Sequence, residues 1–359
     1  MTQRERQLLQ WIEQNPMISQ EELAKKAGIT RSSVAVHISN LMKKGYIVGK
    51  GYVLRSGTYA VVIGGVNMDI GGKSYETIIP MDSNPGQVRM SLGGVGRNIA
   101  HNMALLGIET RLLTAFGDDL YAERIASSCG ELGIDISGAL KVPGGVTSTY
   151  LYIAGPDGDM QCAVSDMDIC NAITPEYLES KLNMINNAQL VVADTNISKE
   201  ALEYLAEHCT APLFVDPVST AKAAKITSIL GKIHTLKPNK IEAEMLSGIT
   251  IRTREDMERA ADNLLSTGLR RVFISMGSDG VFAADHTDKM VIPCKKVEPV
   301  NMTGAGDAFM AGLAWAYLEG TDLKNTAIAA SSAGAIAILG AETINPKMSE
   351  KKLREMIAQ

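Results

Sequence analysis

The chain has 359 residues, of which 45% are hydrophobic and 21% are charged, as in an ordinary globular protein. No apolar run approaches the ~20 residues of a membrane-spanning helix, and the first residues, MTQRERQLLQ, lack the apolar core of a signal peptide. The five cysteines are scattered without a CxxC pair, which disfavours a disulfide framework or a zinc site. We therefore expect a cytoplasmic protein with no membrane partner, built from two domains or from one large domain with an appendage.

The net charge of −5 is unevenly distributed along the chain. Residues 1–56 contain nine Lys or Arg and four Asp or Glu, whereas the rest of the chain contains 26 basic and 36 acidic residues. This asymmetry indicates a basic module attached to an acidic body.

Residues 1–56 are predicted to form a winged helix-turn-helix. Helices are expected at 4–14, 21–27 and 31–44, followed by a hairpin at 46–54. Ser19 with Glu22 forms a capping box before the second helix, and Thr30 caps the third. Helix, capped helix, turn, capped helix and hairpin is the order of a helix-turn-helix module.

The third predicted helix is the candidate for DNA recognition, because the start of a recognition helix meets base edges. The residues expected to contact DNA are Arg31, Ser32, Ser33 and His37 in this helix and Lys50 in the hairpin. The alternative is a packing or dimerisation module whose basic face is only solvated.

Residues 59–359 are predicted to form an α/β domain. Apolar strands are expected at 59–65, 112–117, 190–194, 213–217, 234–238 and 271–277, with helical segments between them. Continuously apolar strands that alternate with helices predict a doubly wound, mostly parallel sheet covered on both faces.

Two segments, about 70–91 and 147–165, break this alternation. They resemble alternating strands joined by Pro- and Gly-containing turns, and we expect them to form a small antiparallel flap. A flap beside a phosphoryl-transfer site would exclude water.

The segment 301–313, NMTGAGDAFMAGL, carries the main chemical signal. Gly304, Ala305 and Gly306 allow backbone N–H groups to converge at the start of a helix, which makes an anion hole. Asp307 follows directly, and a carboxylate there suits removal of a proton from a hydroxyl that attacks the phosphoryl group held in the hole. The alternative is a glycine-rich turn with Asp307 as a helix N-cap.

Two further motifs are candidates for binding a sugar. Asn67 and Asp69 follow the first strand and face the same way if the segment is extended, so Asp69 suits two vicinal hydroxyls. Gly93, Gly94 and Asn98 lie in a glycine-rich loop that leads into a helix. The alternatives are an Asx turn and an ordinary loop.

Two other motifs are candidates for binding a nucleotide and a metal. Asn239 and Glu242 lie three apart at a helix start, where Glu242 suits a water of Mg²⁺ and Asn239 a phosphate oxygen. Ser278 and Gly280 lie in a turn after a strand. The alternatives are a capped helix with an acid in its first turn and a simple hairpin turn.

Taken in their order along the chain, the motifs resemble the ribokinase (PfkB) family of carbohydrate and nucleoside kinases over residues 59–359. The resemblance implies Asp307 as general base, and Gly304, Ala305 and Gly306 as the anion hole. It implies ribose binding by Asn67, Asp69, Gly93, Gly94 and Asn98, and ATP with Mg²⁺ at Asn239, Glu242, Ser278 and Gly280.

Segments such as 82–86 (DSNPG) and 165–174 (SDMDICNAIT) are most similar to the bacterial pseudouridine kinases of this family. We therefore expect phosphorylation of the 5′-hydroxyl of pseudouridine. The alternatives are inosine, uridine or a free sugar as substrate, or a transcriptional regulator that senses a ligand through a kinase fold.

The resemblance places Asn196 near the ribose, where ribokinase-like relatives have Glu, and Ser83 and Asp166 within reach of a base edge. The family's second signature usually begins with Asp-Thr, at the start of its monovalent-cation loop, but this chain has Asn301-Met302 there. Whether K⁺ activates the protein is therefore an open question. A homodimer is expected, because an exposed strand edge favours pairing.

Overall fold

The structure is a computed structural model that describes residues 2–16, 18–47 and 58–359. It divides into two compact units, Met1–Thr58 and Tyr59–Gln359. No helix among the described residues is long and apolar enough to cross a membrane.

The described part of the first unit contains three helices, α1 (Gln3–Gln14), α2 (Gln20–Ala27) and α3 (Arg31–Lys43). Capping boxes begin α1 and α2, and Thr30 caps α3. Leu8, Leu23 and Leu41 are fully buried between the helices. All but the first two residues of the predicted hairpin 46–54, including Lys50, lie outside the described residues.

The second unit is built on an eight-stranded sheet in the order β14-β13-β12-β11-β10-β9-β1-β4. Its strands are β1 (Tyr59–Ile63), β4 (Glu109–Leu113), β9 (Val191–Asp194), β10 (Leu213–Asp216), β11 (Thr235–Leu236), β12 (Arg271–Ser275), β13 (Val281–Asp285) and β14 (Lys289–Ile292). The six strands from β4 to β12 in this order pair in parallel, and β13 and β14 add an antiparallel edge.

A separate four-stranded sheet, which we call the flap sheet, has the strand order β3-β2-β7-β8. Its strands are β2 (Asn67–Ser74), β3 (Gly86–Gly93), β7 (Thr149–Ala154) and β8 (Met160–Asp166). A two-stranded pair, β5 (Ala115–Phe116) and β6 (Leu140–Lys141), completes the strands of this unit.

The helices of the second unit are α4 (Val95–Leu105), α5 (Leu120–Glu131), α6 (Pro175–Asn186), α7 (Lys199–His208), α8 (Thr220–Ala223), α9 (Lys240–Ser247), α10 (Arg254–Ser266), α11 (Ala305–Leu318), α12 (Leu323–Ile338) and α13 (Glu350–Ala358). They cover both faces of the main sheet. Val62 on β1 belongs to the apolar cluster shared with α4, α11 and α12, whereas Val61 belongs to the cluster shared with α7 and α10. A strand buried on both faces has no polar alternation, which is why its sequence is continuously apolar.

The α/β fold with a doubly wound, mostly parallel sheet is confirmed, and three details differ from the sequence prediction. The predicted strand 112–117 is divided between β4 and β5, and β13 and β14 were not predicted. The flap is mixed rather than purely antiparallel, because β2 and β7 run parallel while each pairs with an antiparallel outer strand.

Close packing fixes the position of α11. A side chain at Gly312 would fall on the Cα of Ala330, so α11 and α12 approach each other at a distance that only glycine permits. The first turn of α11 is thereby held at the edge where the parallel strands end.

Candidate active site at the carboxyl ends of the strands

Asp307 lies in the first turn of α11, and the helix begins at a glycine turn. Gly304 is the N-cap with φ +81°, and a side chain there would fall on the carbonyl oxygen of Thr343. Asp307 is therefore not the N-cap, and the capping alternative is wrong. The N-terminus of a helix of 14 residues supplies unpaired N–H groups and a partial positive charge beside the carboxylate.

Asn98 and Asp307 meet across 209 positions of sequence, since the Asn98 side-chain amide donates a 2.9 Å hydrogen bond to Oδ2 of Asp307. Burial and the nearby charge of Asp216 raise the pKa of Asp307 from its ordinary 3.8 to about 7. The Asn98 hydrogen bond and the Lys237 charge act in the opposite direction. A carboxylate that titrates near neutral pH is suited to general base catalysis.

Arg97 fixes the orientation of this amide. The buried Arg97 guanidinium donates a 3.4 Å hydrogen bond to Oδ1 of Asn98 and a 3.2 Å hydrogen bond to the carbonyl of Leu92. Since a guanidinium only donates, the amide oxygen faces Arg97 and the NH₂ group faces Asp307.

Lys237 and Asp216 form a buried ion pair at 3.1 Å, at the ends of β11 and β10. Burial lowers the pKa of Lys237, but the charge and hydrogen bond of Asp216 act together with the charges of Asp307 and Glu242, and the net effect raises it. Its Nζ lies 3.4 Å from where a Cβ of Gly306 would stand, beside the first turn of α11. Sequence reasoning assigned neither residue a role, although polar side chains at the ends of buried parallel strands are a recognisable signal.

Asp194 was also missed, and it ends β9 fully buried. Its Oδ2 accepts from the N–H of Gly65 and its Oδ1 from the N–H of Asn196, at 2.9 and 2.8 Å. Burial raises its pKa to about 6, against the effect of these hydrogen bonds. Asp194 therefore holds the Gly64-Gly65 loop and adds negative charge near Asp307.

Asn67 and Asp69 begin β2 and face each other, with the Asn67 amide donating to Oδ1 of Asp69 at 2.5 Å. A side chain at Gly93 would fall on the Asp69 carboxylate, and Gly94 has φ +97°. Burial raises the pKa of Asp69. Gly93 thus leaves room for the Asp69 carboxylate, and Gly94 lets the start of α4 approach the backbone of Gly65 and Val66.

Asn196 is buried against Gly65, and its Oδ1 accepts from Nζ of Lys222 at 2.5 Å. Asp166 ends β8, and the next residue, Met167, also packs on Gly65. Ser83 lies exposed in the loop between β2 and β3. No hydrogen bond within the described residues connects Ser83 or Asp166 to Asp307.

Asn239 and Glu242 form a capping box at the start of α9, as the structural alternative predicted. Asn239 Oδ1 accepts from the N–H of Glu242, and Glu242 Oε2 accepts from the N–H of Asn239, both at 2.9 Å. The Asn239 amide NH₂ and the second Glu242 oxygen make no hydrogen bond within residues 2–16, 18–47 and 58–359. Burial raises the pKa of Glu242, which lies near Lys237.

A cavity of about 630 Å³ extends from Ala305 and Gly306 of the candidate anion hole to the turn after β12. Its lining includes Lys237, Ser278, Gly280 and Gly306, and a wall of apolar residues from α11 and α12. The volume, the apolar wall and the buried lysine at one end fit a nucleotide whose phosphates lie toward Gly306.

The described residues contain no group of three or more His, Cys, Asp or Glu side chains that could hold a metal ion. A single carboxylate such as Glu242 fits Mg²⁺ only together with nucleotide phosphates, which is the usual arrangement for that ion. In the loop before α11, Asn301 donates to the carbonyl of Ala341 at 3.1 Å and accepts from the N–H of Thr303 at 2.9 Å. A carboxylate in its place could not donate to Ala341.

The DNA-binding candidates on α3 differ in exposure. Arg31, Ser32 and Ser33 are exposed, although Ser33 also bonds Thr30 at the helix start. His37 is half-buried, so the expectation that it is exposed is only partly met.

Comparison with known proteins agrees with this geometry. Residues 57–351 match the pfkB family carbohydrate kinases, and residues 1–48 match the winged helix-turn-helix DNA-binding family. The chain is 42% identical to the pseudouridine kinase of Escherichia coli (strain K12), over 82% of this chain and 95% of that protein. It is 38% identical to the uncharacterized sugar kinase YeiI of the same organism, over 97% of each chain.

Solved structures show the same architecture. A carbohydrate kinase from Agrobacterium tumefaciens is 27% identical with a TM-score of 0.75, covering 84% of this chain and 97% of that one. The ribokinase of Thermotoga maritima, at 23% identity, shares the fold with a TM-score of 0.76 over 84% of this chain and 100% of its own.

Proposed function

The chain belongs to the pfkB family of carbohydrate kinases, and we propose that it transfers the γ-phosphoryl group of ATP to the 5′-hydroxyl of pseudouridine. Kinases of this family are phosphotransferases with an alcohol group as acceptor, and they use ATP with a divalent metal. The proposal includes a nucleoside as acceptor, transfer to its 5′ position and Mg²⁺ as the divalent metal.

The observation that carries the proposal is the position of Asp307. Its carboxylate has a pKa near 7 and lies in the first turn of α11, whose N-cap is Gly304. Simple anion binding would be weakened by a carboxylate at this position, because like charges repel. A base beside an anion hole instead suits a reaction in which a hydroxyl attacks a phosphoryl group.

In the proposed reaction, Asp307 accepts the proton of the 5′-hydroxyl as that oxygen attacks the γ-phosphorus. The new O–P bond forms while the bond to the bridging oxygen of ADP breaks. The N–H groups at Gly304, Ala305 and Gly306 donate to the transferred phosphoryl group, and Lys237 adds a positive charge beside them. Asn98 holds the carboxylate in place through its 2.9 Å hydrogen bond.

The nucleotide is proposed to lie in the cavity that contains Ser278, Gly280 and Gly306. Asn239 and Glu242 keep one free side-chain group each and are proposed to serve its phosphates and Mg²⁺. When bound, Mg²⁺ neutralises phosphate charge during transfer.

The ribose is proposed to bind between Asn67, Asp69, Gly93, Gly94 and Asn98. Asp69 can accept hydrogen bonds from two vicinal hydroxyls, and Gly93 gives those hydroxyls close access to it. Asn196, whose Oδ1 accepts a hydrogen bond from Lys222, is proposed to lie near the ribose, where ribokinase-like relatives have Glu.

The identity of the nucleoside rests on the 42% identical pseudouridine kinase. The test is ATP-dependent phosphorylation of pseudouridine, uridine, inosine, ribose and fructose with Mg²⁺, by the full chain. Preferred turnover of pseudouridine is expected. Binding of nucleoside without turnover of any compound would instead favour a regulator that senses a ligand.

The N-terminal module is proposed to bind DNA through α3, with Arg31, Ser32 and Ser33 exposed at its start. Site-specific binding that weakens as salt rises is the expected result in a gel-shift assay. Absence of any shift at low salt would leave the module with a packing or dimerisation role.

A homodimer is proposed through the flap. One face of its sheet presents Val88, Met90, Leu151, Ile153 and Val164, each 40–71% exposed. An apolar face of this kind marks an interaction surface, and a second copy offers the same face.

A further inference from the structure

The flap sheet has a second face, which we call the Asp69 face. Side chains alternate along a strand, so Asp69, Gly71 and Lys73 of β2 point to the same side. The register places Ser91 and Tyr150 beside Asp69, Arg89 and Tyr152 beside Gly71, and Gln87 and Ala154 beside Lys73. The Asp69 face is therefore a continuation of the proposed ribose site.

A cavity of about 530 Å³ lies on this face, lined by Gly71, Lys73, Gln87, Arg89 and Tyr152 among others. It begins one step outward from Asp69, since two residues of a strand span about 6.6 Å. A ligand whose sugar is held by Asp69 would extend its next group into this cavity.

The cavity has a flat aromatic floor. A side chain at Gly71 would fall on the phenolic end of Tyr152, so the tyrosine ring lies across the strand at this glycine. The ring of Tyr150 lies beside it, with centroids 6.0 Å apart. A floor built from an aromatic ring over glycine accommodates a planar group.

Unpaired donors surround the floor. Arg89 stands directly across Gly71 from Tyr152, and Lys73 follows one row further out. Neither cation, nor the Tyr152 hydroxyl, has a hydrogen-bond or ion-pair partner within the part of the chain that the structure describes. Such groups are available to carbonyl oxygens of a ligand.

We propose that this cavity is the nucleobase subsite, in which Tyr152 stacks on the base and Arg89 donates to a base carbonyl. The proposal rests on the proposed nucleoside kinase function and assigns base recognition to residues other than Ser83 and Asp166. A uracil-type base fits because it is planar and carries two carbonyl oxygens. The two cations alone would also suit a phosphate, but a phosphate gains nothing from an aromatic floor.

The test compares a nucleoside with its sugar alone, using the full chain with saturating ATP and Mg²⁺. Removing the Arg89 donors in Arg89→Met is expected to lower kcat/KM for pseudouridine about ten- to hundredfold. Removing the ring in Tyr152→Leu is expected to lower it about tenfold. For ribose, both variants should stay within about twofold of the wild type, since ribose does not reach the cavity.

A control variant separates recognition from folding. Arg124→Met removes an exposed arginine on α5, far from the cavity lining, and should keep the wild-type ratio of the two kcat/KM values. If ribose turnover is too slow to measure, the inhibition constants of pseudouridine 5′-phosphate and ribose 5-phosphate are compared instead. Their ratio reports recognition of the base in the same way.

The outcomes separate the two proposals. Nucleoside turnover with an unchanged ratio in Arg89→Met and Tyr152→Leu would overturn the subsite and leave the nucleoside kinase function standing. Turnover of free sugars alone by the wild type would overturn both. Preference for a sugar phosphate, lost in Arg89→Met, would show that the cavity holds a phosphate and overturn the nucleobase assignment.

Discussion

The Asp307 site and the flap differ in how their polar groups are satisfied. Around Asp307, the buried groups hold one another: Asn98 bonds the carboxylate, Lys237 pairs with Asp216, and Asp194 bonds two backbone N–H groups. On the flap, Arg89 and Lys73 are exposed, and no partner for them lies within the described residues. We infer that the first region fixes the reaction and the second selects the substrate, since fixed groups suit catalysis and free groups await a ligand.

The substitution Asp307→Asn should have the largest effect, and it tests whether the Asp307 site carries out the reaction. Loss of a positioned base is expected to lower kcat about 10²–10⁴-fold on every accepted alcohol, while ATP affinity changes little. Steady-state kinetics and calorimetric ATP binding measure the two effects. Asp262→Asn, which removes an exposed carboxylate on α10, is the matched control. Turnover near the wild-type rate in Asp307→Asn would remove this residue from the role of base.

The pH dependence of activity sharpens the comparison. In the wild type, kcat/KM should rise with pH through about 7, because Asp307 must be deprotonated to accept a proton. Asn98→Leu removes a hydrogen bond that lowers this pKa, so the rise should move to higher pH. Asn98→Asp adds a like charge and should move it further in the same direction. A profile that stays in place in both variants would show that Asp307 does not set it.

The stability of the fold should also depend on pH, because the pKa of Asp307 is raised in the folded state. Because the folded-state pKa of Asp307 is raised, the unfolded state loses its proton first, and stability falls as pH rises from about 4 to about 7. Asp307→Asn removes this loss. Its melting temperature should match the wild type near pH 4, exceed it increasingly up to pH 7, and keep a constant advantage above that. Thermal unfolding monitored by circular dichroism at several pH values makes the comparison. An equal melting temperature at pH 8 would contradict the raised pKa.

The smallest expected effect on chemistry comes from the apolar face of the flap. Val164→Asp places a charge on the proposed dimer surface and should yield monomers in size-exclusion chromatography with light scattering. Val146→Asp changes an exposed valine before β7 and should leave the dimer intact. Monomeric wild-type protein at micromolar concentration would refute the dimer.

Much of the fold follows from local sequence signals. The capping box at Ser19 begins a helix as its pattern predicts, Asn239 caps a helix as the alternative for its motif predicted, and the apolar runs become buried strands. The divided strand at 112–117 and the parallel pairing of β2 with β7 were not predictable, because strand pairing is decided by segments far apart in the chain.

The site was partly predicted for a related reason. Glycines before Asp307 and beside Asn98 are visible in the sequence, since their spacing marks tight turns. Asp194, Asp216 and Lys237 were missed because each looks like an ordinary residue at the end of a strand. Only the parallel sheet brings these strand ends to one edge.

The sequence by itself determined the element types, the basic N-terminal module, the glycine turn before Asp307 and the motifs shared with the kinase family. These depend on local conformation and on residue identity. Tertiary structure alone decided that Asn98 meets Asp307, that burial moves the pKa of that carboxylate to about 7, and that Arg89 and Tyr152 flank Gly71. Such properties arise from distance and burial between remote segments, which no local pattern encodes.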